Sequence, residues 1–370
     1  MKVLQINDSL IGGGAEVVFR YTSELLKKAG YDVKSFYHSK FLIHSIGYIY
    51  SFKSCFRLKK VIEDFQPDVI HFHNFHHLLS PSVLYAIKKL KKRLGFKVFM
   101  TVHDYHLICT NNGCIHWKKA EPINCESCQG KKFYKGLFYK CDHRGILFSF
   151  MKFLQHFIAY NFFKLQNVID TFICPSNFLK NKLEISLPQN KLHVLNNPAF
   201  GLAHNLDEIT AAAKVIQQKY ESVFLGRISI EKGLHRFLEE TYSKEKFGNV
   251  AIIGDGPKKY KKMLEGIVQK RHLEKNVFFL GPKDHLEALS YLYNAKRLIF
   301  PSIWYENCPL TILEAIYLKK EIFHYGIGAA DEISSLDRKE ISEEKYLEGL
   351  LKLYPQEVKQ KAKVCLEKTS

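Results

Sequence analysis

Tyr305-Glu306-Asn307-Cys308-Pro309-Leu310-Thr311-Ile312-Leu313-Glu314-Ala315 places two carboxylates eight positions apart, the first in a loop and the second inside an apolar run with helical spacing. The strand-like Arg297-Leu298-Ile299-Phe300 precedes it, the loop Pro301-Ser302-Ile303-Trp304-Tyr305 intervenes, and Pro309 suits a helix's first turn, where a missing N–H costs nothing. The segment reads as strand, loop, helix. Backbone N–H groups at such a helix start, with the positive end of its dipole, suit an anion; Glu306 and Glu314 suit hydroxyl donors such as those of a sugar and a ribose. A sugar nucleotide offers both. Two glutamates at this spacing also occur as solvated helix carboxylates, so the assignment rests on whether other segments agree.

They do. Lys2-Val3-Leu4-Gln5-Ile6 is a short apolar strand running into Gly12-Gly13-Gly14-Ala15-Glu16, after which Val17, Val18, Tyr21, Leu25 and Leu26 recur at helical spacing. Strand, glycine loop and helix form a phosphate cradle, because glycine lets the backbone approach a diphosphate without a Cβ clash. Val223-Phe224-Leu225-Gly226-Arg227 followed by Ile230-Glu231-Lys232-Gly233 ends another apolar strand with two cations five residues apart. A guanidinium fork and an ammonium together suit a departing nucleoside diphosphate without a metal. Val250-Ala251-Ile252-Ile253 and Val277-Phe278-Phe279-Leu280-Gly281 read as further buried strands, and Asp255 as an ordinary turn residue.

These segments resemble the retaining glycosyltransferases of family 4 along nearly the whole chain: the E-x7-E spacing, the string LGRxxxEKG, and the glycine pair followed by glutamate. The resemblance implies an α/β, GT-B architecture, two Rossmann-like domains facing each other across a cleft. It implies a donor site of Gly13, Gly14, Arg227, Lys232, Glu306, Asn307, Pro309, Leu310 and Glu314. The catalytic set would be His103, Glu306, Arg227 and Lys232, with His103 ending the apolar strand Lys97 to Val102. An imidazole there would hydrogen-bond the transferred sugar in either protonation state. The donor would be UDP- or GDP-linked, transfer would retain the anomeric configuration, and no catalytic metal would be required. The acceptor would be a glycan or a polyprenyl-diphosphate-linked sugar of cell-surface polysaccharide synthesis. A GT-B-fold epimerase or a catalytically silent nucleotide-sugar binder is the alternative.

A chain of 370 residues suits two cores, and the expected boundary gives residues 1–198 as the acceptor-side domain and 199–370 as the nucleotide-sugar domain. Charge is uneven. Residues 1–200 hold 28 lysines and arginines against 13 acidic residues, whereas the whole chain is +18. Lys53, Arg57, Lys59 and Lys60, with Lys88, Lys89, Lys91, Lys92 and Arg93, are interleaved with Phe52, Phe56, Leu58 and Leu90. That mixture suits an anionic membrane surface. Nucleic acid is not an expected partner, since no helix-turn-helix, RNA-recognition or zinc-finger signature is present. No stretch reads as a transmembrane helix; residues 145–158 come closest, with Lys152, Gln155 and His156 interrupting a buried or interfacial helix. The chain begins directly with a strand and shows no signal peptide, so a cytoplasmic protein, peripheral on the inner membrane face, is expected.

Five of nine cysteines fall at Cys109, Cys114, Cys125, Cys128 and Cys141. In a reducing compartment this favours metal over disulfide, and Cys109, Cys125, Cys128 and Cys141 have suitable spacing for a structural zinc; His116 or His143 is a substitute ligand and Cys114 is expected to stay free. The insertion at about 109–141 resembles one in a subset of family 4, with HDYxxxC followed by CExC. His71, His73, His76 and His77 look metal-like, but DVIHFHN also resembles the family's parallel strand and following loop, and no metal is assigned there. The tail departs from the family: Gly326-Ile327-Gly328 only partly matches its glycine loop, and a short helix-like stretch Glu357 to Leu366 stands where a closing helix returns to the first domain.

Overall fold

The computed structural model describes residues 1–38, 45–118, 121–130, 132–139, 141–142 and 144–355. Lys119, Lys131, His143 and the stretch Glu357 to Leu366 lie outside these. The chain divides into two compact units, one of Met1–Asn197 together with the segment from Glu343, the other of Pro198–Ser342. The expected assignment of residues 199–370 to one domain thus needs correction at its end. The helix Glu343–Leu353 belongs with the first unit, where the Tyr346 hydroxyl meets Thr22 Oγ1 at 2.9 Å and the Tyr354 hydroxyl meets His71 Nδ1 at 2.8 Å.

The first unit holds a parallel sheet of β1 (Lys2–Ile6), β2 (Asp32–Phe36), β3 (Val69–Phe72), β4 (Lys97–Thr101), β7 (Thr171–Cys174) and β8 (Leu192–Val194), in the order β2-β1-β3-β4-β7-β8. Between β4 and β7 sits the antiparallel hairpin of β5 (Ile115–Lys118) and β6 (Glu121–Asn124). The second unit holds β9 (Ser222–Leu225), β10 (Val250–Ile253), β11 (Val277–Gly281), β12 (Arg297–Phe300) and β13 (Glu321–His324), all parallel, in the order β11-β10-β9-β12-β13. Every residue of β3, β9 and β10 is buried, as continuous apolar strands covered on both faces require.

Helices fill the crossovers. The helix Gly14–Lys28 buries Val18, Phe19, Thr22, Leu25 and Leu26 and ends in Lys27 and Lys28, which suit the negative end of its dipole. Phe52–Phe65 starts where Ser51 Oγ accepts from the Ser54 N–H, and Ser82–Leu94 ends at the left-handed Gly95. In the second unit Phe224, Phe237, Phe247, Leu264 and Ile299 are among the residues of one core. Among the described residues no helix is long and apolar enough to cross a membrane.

Both sheets reverse their winding once. From β1 the chain steps outward to β2 and returns to pair β3 on β1's other side; from β9 it runs to β10 and β11, then returns to pair β12 with β9. In open parallel sheets the crevice beyond such a reversal is where ligands bind. The loops following β1 and β3, and those following β9 and β12, therefore lie where such crevices form.

Candidate functional site

In the second unit the two loops at the reversal are tied together. Beyond β9, the Glu231 carbonyl accepts from the Ile303 N–H at 3.0 Å, which holds residues 227–233 against the loop beyond β12. Gly233 makes that approach possible: its φ is +71°, and a Cβ there would stand 2.0 Å from the Pro301 carbonyl oxygen. The glycine of the EKG string is thus a steric requirement.

Lys232 and Glu306, 74 positions apart, form the centre. Glu306 is 9% exposed, and its Oε1 accepts from Lys232 Nζ at 2.5 Å, Trp304 Nε1 at 2.5 Å and Ser302 Oγ at 2.9 Å. The ammonium lies 5.6 Å from the Phe300 ring centroid and 5.7 Å from that of Trp304, an aromatic slot that favours a cation. From the other side Gly328, at φ +76°, bridges to Glu306, and the Ala329 N–H donates to the Glu306 carbonyl at 2.8 Å. A Cβ on Gly328 would meet the Glu306 backbone nitrogen at 2.4 Å. The partly matching glycine loop of the tail therefore supports the very residue the first motif singled out.

Arg227 is exposed and its guanidinium donates to Glu231 Oε1 at 2.6 Å. Asn307 follows Glu306 in the loop, and the helix Leu310–Tyr317 begins one residue later than expected, with Pro309 as its extended N-cap instead of a first-turn residue. The Ile312 N–H donates to the Pro309 carbonyl at 3.1 Å. Glu314 lies on this helix, and its carboxylate meets His285 Nε2 at 2.8 Å. Ser302, Trp304 and Gly328 stand in loops the sequence reading named but carried no role there, and His285 escaped it altogether: the spacing of a motif does not say which side chains hold it. Asp255 is an exposed turn residue paired with Lys261 at 2.6 Å, as read.

In the first unit Gly12 and Gly13 lie in the exposed loop beyond β1, and Gly13 is the N-cap of the helix that Gly14 begins, with no side chain capping it. Burial raises the Glu16 pKa against opposing hydrogen bonds, among them one from the Gly13 backbone. His103 follows β4. Its Nε2 lies 3.0 Å from His73 Nδ1, the two rings stack at 5.3 Å, and His73 Nε2 continues to Gln5 Oε1 at 3.0 Å. Burial pushes the His103 pKa down to about 4, so the ring is neutral near pH 7; the expectation of either protonation state is corrected by its surroundings.

The cysteine loop holds five thiols. Cys109, Cys114, Cys128 and Cys141 are buried and Cys125 half-buried. Cys114 bears a free thiol, as expected; hydrogen bonding with it lowers the Cys109 pKa to about 7, and the Cys125 N–H donates to the Cys114 carbonyl at 2.6 Å. A tetrahedral zinc at about 2.3 Å from each sulfur needs sulfurs about 3.8 Å apart. Among the described residues no three of these sulfurs approach within 4.8 Å. The thiols are neighbours without forming a finished cage.

Known proteins fit this arrangement. The model of Glycosyltransferase Family 4 matches residues 12–199, and that of Glycosyl transferases group 1 matches residues 207–339. An uncharacterized glycosyltransferase of Methanocaldococcus jannaschii is 25% identical over 276 residues, 72% of this chain and 57% of that relative; the chain thus spans less than two thirds of the relative's length. A glycosyltransferase from Rickettsia africae ESF-5 shares the fold with a TM-score of 0.62 at 15% identity, covering 97% of this chain and 98% of its own. Anabaena HepE, solved in complex with UDP, does so with a TM-score of 0.58 at 13% identity, covering 99% and 93%. The two Rossmann-like units are those of the GT-B architecture, and the chain belongs to glycosyltransferase family 4.

Proposed function

We propose that this protein transfers a sugar from a UDP- or GDP-linked donor to a glycan or polyprenyl-diphosphate-linked acceptor, with retention, in cell-surface polysaccharide synthesis. The observation that carries the reading is the Lys232–Glu306 pair at the sheet reversal of the second unit, beside the helix that bears Glu314. Arg227 and Lys232 neutralise the donor diphosphate, Glu314 receives the ribose hydroxyls, and Glu306, with Asn307, Pro309 and Leu310 beside it, receives the sugar. Gly13 and Gly14 meet the diphosphate from the first unit and His103 the sugar. The acceptor oxygen forms its bond to the anomeric carbon on the face from which the phosphate departs; the phosphate oxygen takes the acceptor proton while the two cations stabilise its charge. The likeness to a protein solved with UDP agrees with such a donor. Thermal stabilisation by a panel of nucleotide sugars tests it, since a ligand at a hundred times its Kd adds about 2.7 kcal/mol. No stabilisation by any UDP- or GDP-sugar would refute the donor assignment.

The acceptor side is read as docking peripherally on the cytoplasmic face of an anionic membrane. Ile146, Leu147, Phe148 and Phe150 of the helix Ile146–His156 are exposed, as are Phe157 and Phe162 just beyond it. Ring contacts of 4.9, 5.6, 6.4 and 4.7 Å run from Phe162 through Phe163, Tyr85 and Tyr50 to the exposed Phe52, joining this face to Lys53, Arg57, Lys60, Lys88 and Lys92. Apolar rings ringed by cations suit the headgroup boundary. A structural zinc drawing Cys109, Cys125, Cys128 and Cys141 together is likewise proposed, with no part in the transfer step.

A further inference from the structure

We propose a second, separate metal site in the first unit, formed by His76, His77 and Asp104 and suited to a divalent first-row transition ion. It stands on geometry independent of the donor site. One ligand atom from each residue lies within 4.8 Å of the other two. His76 and His77 come from the loop beyond β3, and Asp104 from the loop beyond β4. The sequence reading assigned no metal to the histidine run, which resembles the family's strand and loop; the third ligand arrives from a segment 27 positions beyond His77.

Independent observations point to a missing ligand. His76 is 1% exposed, yet neither of its ring nitrogens makes a hydrogen bond; Nε2 sits 3.3 Å from Asp104 Oδ2 without the alignment of one. Buried polar atoms in native structures are satisfied, and an orphan signals an unplaced partner. The outer groups are those that orient metal ligands. His106 donates its backbone N–H to Asp104 Oδ1 at 2.9 Å and brings Nδ1 to the same oxygen at 2.6 Å, while its ring stacks on His76 at 4.3 Å. Asp8 grips the histidine loop, accepting from the backbone N–H groups of His77, Leu78 and Leu79 at 2.9, 2.9 and 2.8 Å. The Gln155 side chain donates to the His76 carbonyl at 2.8 Å.

Two imidazoles and one carboxylate are the ligand type of zinc, cobalt or ferrous iron, and exposed His77 leaves a side open to solvent. An ion here would clip the loop beyond β3 to the loop beyond β4, which also carries His103.

Cobalt(II) titration of the metal-free full-length protein separates this site from the cysteines, because thiolate-bound cobalt gives an intense near-ultraviolet charge-transfer band and a histidine–carboxylate site gives only visible bands. Beside any cobalt that the cysteines take with its thiolate band, we expect wild type to bind one further ion that adds only visible bands, His77→Ala to lose that further ion while keeping its far-ultraviolet circular dichroism, and His106→Phe to weaken it by about 10–100-fold. Since His77 is at the surface, its variant folds. Equal non-thiolate cobalt in wild type and His77→Ala, or none in wild type, would overturn the proposal.

Discussion

Glu306 gathers three donors on one carboxylate oxygen, and one of them, Lys232, is the cation expected to meet the leaving diphosphate. Removing Lys232 takes away charge where charge develops, so Lys232→Ala should lower kcat by about 100-fold or more in a transfer assay while the melting temperature changes little. Wild-type turnover in this variant would remove the role. Gly233 belongs to the same loop but acts through shape. Gly233→Ala puts a Cβ against the Pro301 carbonyl, and unfolding by urea should show a loss of about 1–3 kcal/mol; an unchanged midpoint would mean that the loops are not held as described. Both residues were legible as a motif. Their environment was not: Ser302 and Trp304 share the loop of Glu306, but spacing alone does not say that their hydroxyl and indole N–H turn onto its carboxylate, Lys232 reaches it only once β9 and β12 lie side by side, and His285 reaches Glu314 across 29 positions.

At the level of strands and helices, continuous apolar runs marked β1, β10, β11 and β12 at their observed bounds; β10 is buried throughout, as a strand covered on both faces requires, whereas β11 buries only Val277 fully. The return helix Glu343–Leu353 was not legible. Its anchors, Tyr346 within it and Tyr354 just beyond it, look like any aromatics until their hydroxyls meet Thr22 Oγ1 and His71 Nδ1. His71 gives this region a pH dependence. Gln5, His73, Thr101 and Tyr354 surround it, and burial lowers its pKa from 6.5 to about 3. The unfolded chain therefore takes up the proton first, so the neutral ring's contribution is full above about pH 6.5 and is lost as pH falls towards about 3. The urea midpoint should drop between about pH 7.5 and about pH 5, where most carboxylates are still ionised. A flat profile over that range would contradict the buried neutral histidine.

For the molecule as a whole, the uneven charge was visible in composition, but the apolar face that gives it meaning needed the rings of Phe52, Tyr50, Tyr85 and Phe163 to meet. Replacing Phe150, Phe157 and Phe162 together by Ser should reduce sedimentation with anionic vesicles several-fold and leave nucleotide binding unchanged; Lys53→Glu, Arg57→Glu and Lys88→Glu should do the same, and wild-type binding should fall with salt. Equal binding to neutral and anionic vesicles would reject electrostatic docking. Elemental analysis should find about one zinc per chain that Cys128→Ser and Cys141→Ser each remove, and zinc unaffected by both would reject the thiolate site.

Transfer itself decides the function. Purified protein, incubated with each UDP- and GDP-sugar in the presence and absence of lipid-linked glycan acceptors, should release nucleoside diphosphate with one donor only when a suitable acceptor is present, and the product should keep the donor's anomeric configuration. A change in the donor sugar without any acceptor would mean an epimerase. Binding of a nucleotide sugar with no turnover under any acceptor would mean a silent binder, and either result would contradict a retaining transferase.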